Sequence, residues 1–291
     1  MGEYEVIAEG LAFPEGPVVM ADGSVLVVEI LAGRITRCWN GRTEAVCEPG
    51  GGPNGAAIGP DGALWVCNNG GFSHEGSASS VCHALDPGRI ERIDLATGRI
   101  ERVYDVCDGE ALGAPNDLMF DAEGNVWFTD FGKFTSCGKN YGGLYCGSAD
   151  GGSITRIDSR TLSYNGVGLS PDMATVYVSD TLSARVYAYE RRTEPQEPRL
   201  VATVPGMVMI DSMAITAVGN LCVATIGMEF GAISTVTPAG VVGSTSLDDP
   251  FVTNIAFGGE DMRDAFITLS ISGRIIRSRW SEPGMRLIYN S

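Results

Sequence analysis

Histidine is almost missing from this 291-residue chain: there are two, His74 and His83, and both fall in one stretch, NGGFSHEGSASSVCHALDPG (69–88). A histidine-built metal centre is therefore excluded everywhere else in the chain. Basic clusters are missing as well. No run of Lys or Arg exceeds the pair Arg191–Arg192, against a net charge of -16, which argues against nucleic acid or anionic membrane as a partner. No apolar run approaches a membrane span, and the start MGEYEVIAEG has neither a basic leader nor an apolar signal core, so a cytoplasmic protein is expected. No Pro/Ser-rich linker interrupts the sequence, which reads as one domain over residues 1–291. The eight cysteines make no C-x-x-C pattern, and most sit in strand-like contexts such as LWVCN and NLCVAT. Buried free thiols are expected, with Cys137 and Cys146 the pair open to a bridge. GFSHEG misses the G-x-S-x-G elbow because Glu75 stands at the second glycine, and GGGPNG (50–55) has no following helix to make a phosphate loop.

What the chain does have is a repeat. FPEGPVVMADGSVLVVE (13–29), GPNGAAIGPDGALWVCN (52–68), APNDLMFDAEGNVWFTD (114–130), SYNGVGLSPDMATVYVSD (163–180), MIDSMAITAVGNLCVAT (209–225) and VTNIAFGGEDMRDAFIT (252–268) share one layout. Each is a short apolar strand, a turn, and a second strand rich in β-branched and aromatic residues. They align on Glu15, Asn54, Asn116, Asn165, Asp211 and Asn254, which lie 39 to 62 residues apart. A turn acid follows seven residues on in five of the six: Asp22, Asp61, Glu123, Asp172 and Asp261. Units of this size have too little core to stand alone and must close on one another. Six of them predict an all-β, six-bladed β-propeller, its last blade completed by YEVIAE pairing beside GRIIRSRW so that no edge stays open.

In such a ring every keyed residue opens an innermost strand, so all six are expected at one end of the central channel. Asn and Asp also favour turns for purely structural reasons, and that reading holds open for Asn54 and Asn254. It fails for Glu15, because a glutamate aimed into a narrow channel needs a cation to offset its burial. Two carboxylates and four carboxamides form an oxygen-only donor set, suited to a hard divalent ion such as Ca²⁺ or Mg²⁺.

The opening FPEGP, the PND with its continuation DAEGNVWFTDF, YNG-x-x-LSPD, and the late ID-x-MAI-x-x-x-GNL together resemble the senescence marker protein/gluconolactonase family, which includes regucalcin; diisopropyl fluorophosphatase and the paraoxonases are similar more distantly. The resemblance runs the length of the chain. It implies a propeller with one catalytic divalent metal, usually calcium with Mg²⁺, Mn²⁺, Fe²⁺ or Zn²⁺ as alternatives, held by Glu15, Asn116, Asn165 and Asp211. Asn116 falls where members of the family place either a ligand or a substrate contact. Sugar-lactone members carry an arginine two residues before that asparagine; this chain has Ala114.

The implied reaction is metal-assisted lactone hydrolysis, with Asp211 as base or nucleophile and Glu15 mainly fixing the ion. Asn54, Asn116, Phe72, His74, Phe131, Phe134, Met209 and Met228 are the expected substrate contacts, and together they favour an apolar or aromatic lactone over an aldonolactone. His74 is either a general base in a lid-like loop or a surface histidine. Asp117 is expected to point away from the channel in a structural role or a second calcium site. The rival readings are phosphotriester or fluorophosphate hydrolysis at the same metal, and a non-catalytic calcium-binding propeller. The expected assembly is a monomer or small homo-oligomer acting on a small molecule.

Overall fold

A computed structural model describes residues 4–71, 86–135 and 138–290. Six four-stranded antiparallel sheets stand around one axis, with two small hairpins and no helix among the described residues. Blade one is Pro14–Val19, Val25–Glu29, Arg34–Trp39 and Arg42–Cys47; blade two is Pro53–Ile58, Leu64–Asn68, Arg89–Ile93 and Ile100–Tyr104. Blade three is Pro115–Phe120, Asn125–Asp130, Gly143–Ser148 and Ile154–Asp158; blade four is Tyr164–Leu169, Thr175–Asp180, Arg185–Glu190 and Arg199–Thr203. Blade five is Met209–Ile215, Leu221–Ile226, Gly231–Val236 and Val242–Leu247. Blade six joins Val252–Gly258, Asp264–Leu269 and Arg274–Arg279 to Tyr4–Ala8, whose register sets Tyr4 opposite Ser278. The ring thus closes with strands from both ends of the chain, as the sequence predicts.

The second strands explain why these blades read as unbroken apolar runs instead of an inside/outside alternation. Val25 and Val27 project to one side, packing with Phe266 and Ile275 of blade six. Leu26 and Val28 project to the other, packing with Leu64 and Val66 of blade two. A sheet wedged between two others is buried on both faces, so every residue of its inner strands is selected for apolarity. The same arrangement gives one core between each adjacent pair of blades, the largest built from Trp65, Phe120, Phe128 and Tyr145 between blades two and three. In four repeats the turn acid accepts the N–H two residues on, as Asp22 Oδ1 does from Ser24 at 3.1 Å and Asp172 Oδ1 from Ala174 at 3.1 Å. Blade three differs. There Asp121 takes the turn N–H groups of Glu123 and Asn125, which frees Glu123 to pair with Arg191 at 2.6 Å.

The chain's last stretch, 281–290, lies across the channel end opposite the keyed residues. Met285 N–H donates to Ile215 O at 2.8 Å, Ala217 N–H to Pro283 O at 2.8 Å, and the Tyr289 ring meets Phe120 edge-on with centroids 6.0 Å apart. Met285 and Leu287 line a cavity of about 90 Å³ there, together with Val18, Ile58, Met119 and Ile255 of the innermost strands. Cys146 is a buried free thiol; Cys137 lies outside the described residues, and Cys38, Cys67, Cys107 and Cys222 are likewise buried and unbridged.

Candidate functional site

Every innermost strand breaks register at its keyed residue. The breaks fall between Glu15 and Val18, Pro53 and Ala56, Pro115 and Leu118, Tyr164 and Val167, Ile210 and Met213, and Val252 and Asn254. In blades one to five two residues of the innermost strand face one of its neighbour, the geometry of a β-bulge, which takes a side chain out of the ladder and re-aims it. Space explains the residue that follows. A Cβ at Gly16 would stand 2.4 Å from Asn54 O, one at Gly55 2.5 Å from Asp117 Cα, and one at Gly166 2.7 Å from Ser212 Cα. Neighbouring blades therefore meet backbone to backbone at this level, and the keyed side chains have the channel mouth to themselves.

Glu15, Asn54, Asn116, Asn165 and Asp211 line one cavity of about 170 Å³. Asn254 sits deeper, where its Nδ2 donates to Glu15 Oε2 at 2.7 Å. Asp117 does not turn away from the channel: its carboxylate faces the deeper cavity, with Oδ1 accepting from Leu118 N–H at 2.9 Å. Of the expected substrate contacts, Asn54, Asn116 and Phe131 line the mouth cavity. Phe134 instead backs Phe131, with ring centroids 6.0 Å apart. Met209 is half-buried in the ladder opposite Ile226, and Met228 is 81% exposed, so neither lines the cavity. Phe72 and His74 lie outside the described residues.

The rest of the wall comes from positions that the repeat also marks. Ile30, Asn69, Phe131 and Thr181 each follow the last residue of a second strand, and Phe13 and Ala114 each stand two residues before a keyed residue. The side chain just before the first set braces the loop carrying the second. Glu29 Oε2 accepts from Ala12 N–H at 2.7 Å, Asn68 Oδ1 from Gly52 N–H at 3.0 Å, Asp130 from Gly113 and Ala114 N–H at 2.6 and 2.7 Å, and Asp180 Oδ1 from Ser163 N–H at 2.8 Å. The recurring Glu, Asn, Asp, Asp at the second-strand ends was the signal for this bracing, and keying on the first strand alone overlooked it. Phe13 carries backbone strain, with φ at 59° in a region a bulky side chain seldom adopts.

Electrostatically the site is one-signed. None of the described residues lining the mouth cavity is Lys, Arg or His. Desolvation pushes the Glu15 carboxyl above its usual range despite its hydrogen bonds from Asn254 and Gly16. Asp211 is driven well above the usual carboxylate range by desolvation and then by the charge of Glu15. Desolvation and the Glu15 charge raise Asp117 to about 7. Asn116 Oδ1 is buried with no hydrogen-bond donor. An orphaned carbonyl oxygen beside carboxylates, with no cationic side chain among the described lining residues, is a donor set that fits a hard cation. It is not a cluster of three His, Cys, Asp or Glu side chains, and no such cluster occurs among the described residues.

Residues 13–271 match the model of the SMP-30/gluconolactonase/LRE-like region. The chain belongs to that family. It is 30% identical over 212 residues to a gluconolactonase of Zymomonas mobilis, a match covering 64% of this chain and 54% of that protein. It is 27% identical over 234 residues to lactonase drp35 of Staphylococcus aureus, covering 77% of this chain and 66% of that one. The match thus spans about half of the first relative's length and two thirds of the second's. In fold it is similar to regucalcin, a calcium-binding protein from Agrobacterium tumefaciens, with a TM-score of 0.74 at 18% identity over 98% of both chains.

The raised carboxyls set a sign for stability against pH. A carboxyl whose pKa is higher in the folded state binds its proton more tightly when folded, so it adds stability below the unfolded value that is lost as pH rises through the folded one. For Asp117 the window runs from the ordinary 3.8 to about 7, on the order of 4 kcal/mol. The melting temperature of chelator-treated protein should fall as pH rises from 4 to 7, and added Ca²⁺ should flatten the slope. A flat or rising melting temperature without metal would contradict the electrostatic description of the channel.

Proposed function

We propose that this chain is a metal-dependent lactone hydrolase. The observation that carries the reading is the buried Glu15 and the half-buried Asp211, with no cationic side chain among the described lining residues, beside the orphaned Asn116 Oδ1 at a mouth the size of a small ring. The lactonase names of the family relatives support it. Glu15, Asn116, Asn165 and Asp211 would hold one divalent cation, and an all-oxygen set with only two charges favours Ca²⁺. When bound, such an ion supplies Lewis-acid polarisation of a carbonyl.

The remaining chemistry belongs to the chain's own groups. Asp211, half-buried at the cavity wall, is the carboxylate placed to accept a proton from attacking water or to attack the carbonyl itself. Glu15 is braced through Oε2 and serves to hold charge in place. Asn54 and Asn69 present amides to whatever occupies the cavity, while Phe13, Ile30, Ala114 and Phe131 give it apolar walls that orient a ring and exclude water. No guanidinium stands at position 114 to grip a polyol. Outside the cavity, the loops at this end of blade five expose Met207 and Met228, 85% and 81% accessible, as adaptable apolar surface for a ring substituent.

Asp211→Asn should keep the fold and lower turnover by about 10²- to 10⁴-fold, because an amide still offers an oxygen but neither base nor nucleophile. Glu15→Gln should weaken metal binding first, and excess Ca²⁺ should partly restore its rate. Equal rescue of both variants by metal would show the roles to be misassigned.

Burying about 100 Å² of substituent against apolar walls is worth roughly 2–3 kcal/mol, or about a hundredfold in kcat/KM where it is realised in the transition state. Aromatic or alkyl-substituted lactones should therefore outcompete gluconolactone once spontaneous hydrolysis is subtracted. Equal or better kcat/KM for gluconolactone would overturn the substrate class and leave the metal reading standing.

A further inference from the structure

Asn254 occupies the sixth keyed position, yet the structure gives it different work from the other five. It is 6% exposed and does not line the mouth cavity. Its Oδ1 accepts from Ile255 N–H at 2.8 Å, which fixes the amide's orientation and commits Nδ2 to Glu15 Oε2 at 2.7 Å. Gly16 N–H donates to that same Oε2 at 2.6 Å. The neighbouring Thr253 hydroxyl lies 3.0 Å from Thr268 Oγ1 and is also bonded to Ser270 Oγ. Two donors on one oxygen lock the Glu15 rotamer and commit Oε2, leaving Oε1 as the oxygen that neither of them engages.

We propose that Asn254 is a positioning residue that acts through Glu15, fixing its carboxylate through Oε2 so that Oε1 can serve as a ligand oxygen. This rests on the reading of Glu15 as a metal ligand. The contact also crosses a seam. Asn254 belongs to blade six and Glu15 to blade one, the junction where the ring closes, and Ser270 Oγ spans the same seam to Pro14 O at 2.8 Å. Closure of the ring and orientation of the ligand are thereby one event: the Asn254 amide reaches Glu15 only when blade six is seated against blade one. An amide suits the position for a simple reason. Aspartate would set a further carboxylate against Glu15, and an aliphatic side chain would leave Oε2 with one donor fewer in a desolvated site. Partners that orient a metal ligand from behind commonly change metal affinity by 10- to 100-fold when removed.

The test is a double-mutant cycle on Ca²⁺ affinity, measured by calorimetry on the chelator-treated full chain. Asn254→Ala in the wild-type background should weaken Ca²⁺ binding by about 10- to 100-fold. In a Glu15→Ala background the same change should cost under about twofold, because the group it acts through is gone. With saturating Ca²⁺ the Asn254→Ala protein should regain most of its lactone turnover, whereas a residue touching substrate would stay impaired. Asn254→Ser repeats the cycle if the alanine variant does not give a native circular-dichroism spectrum. Unchanged Ca²⁺ affinity in the wild-type background, or equal losses in both backgrounds, would overturn the proposal while leaving the metal site intact. Wild-type protein that binds no Ca²⁺ would overturn the metal reading and this proposal with it.

Discussion

Crowding at the axis governs this molecule. Six innermost strands converge so closely that Gly16, Gly55 and Gly166 touch the backbone of the next blade, and a side chain at that level survives only where a bulge lifts it out of the ladder. In blades two to five the bulge takes the keyed residue out of the ladder, and that residue lines the channel mouth. A conflict of charge follows from the same geometry. Desolvation in the low-dielectric channel raises the carboxyls of Glu15, Asp117 and Asp211, and the charge of Glu15 raises the latter two further. A cation would relieve that repulsion, and the orphaned Asn116 Oδ1 is a neutral oxygen suited to share in holding it.

Around this centre the blades divide the labour between framework and wall. The end of each second strand in blades one to four carries a buried Glu, Asn or Asp that accepts from the loop leading into its own innermost strand. The next residue in each of those blades, Ile30, Asn69, Phe131 or Thr181, faces the cavity. Framework and wall are thus adjacent in sequence, so the wall can vary in chemistry while the brace behind it keeps the loop in place. Blades five and six have Ile226 and Leu269 at that point, and no braced wall residue follows them. Their contributions to the site are Asp211 and the Asn254 buttress.

Much of this was readable before any coordinates. Period, blade count, ring closure through YEVIAE and the grouping of Glu15, Asn54, Asn116, Asn165 and Asp211 all follow from a repeat whose spacing is dictated by strand and turn lengths. Direction was less readable. Asn254 aligns as well as the others, and only the hydrogen bond to Glu15 shows that it backs that carboxylate instead of lining the mouth cavity. Asp117 was expected to point away, because strand alternation would send it there; the bulge removes that alternation at its position. Met209 and Met228 were grouped with the pocket on the strength of their loops, but sequence spacing cannot separate a side chain in the ladder or in solvent from one at a cavity wall. The crossing of the far channel end by residues 281–290 has no repeat to announce it.

The carboxylates at the channel mouth are proposed to hold one cation on which hydrolysis depends. Titrating chelator-treated protein with Ca²⁺, while following heat release and hydrolysis of an aromatic lactone in the same samples, tests that claim most directly. Both signals should rise together and saturate at one equivalent per chain. Full lactone turnover in protein stripped of metal, or binding that saturates with no gain in turnover, would contradict it.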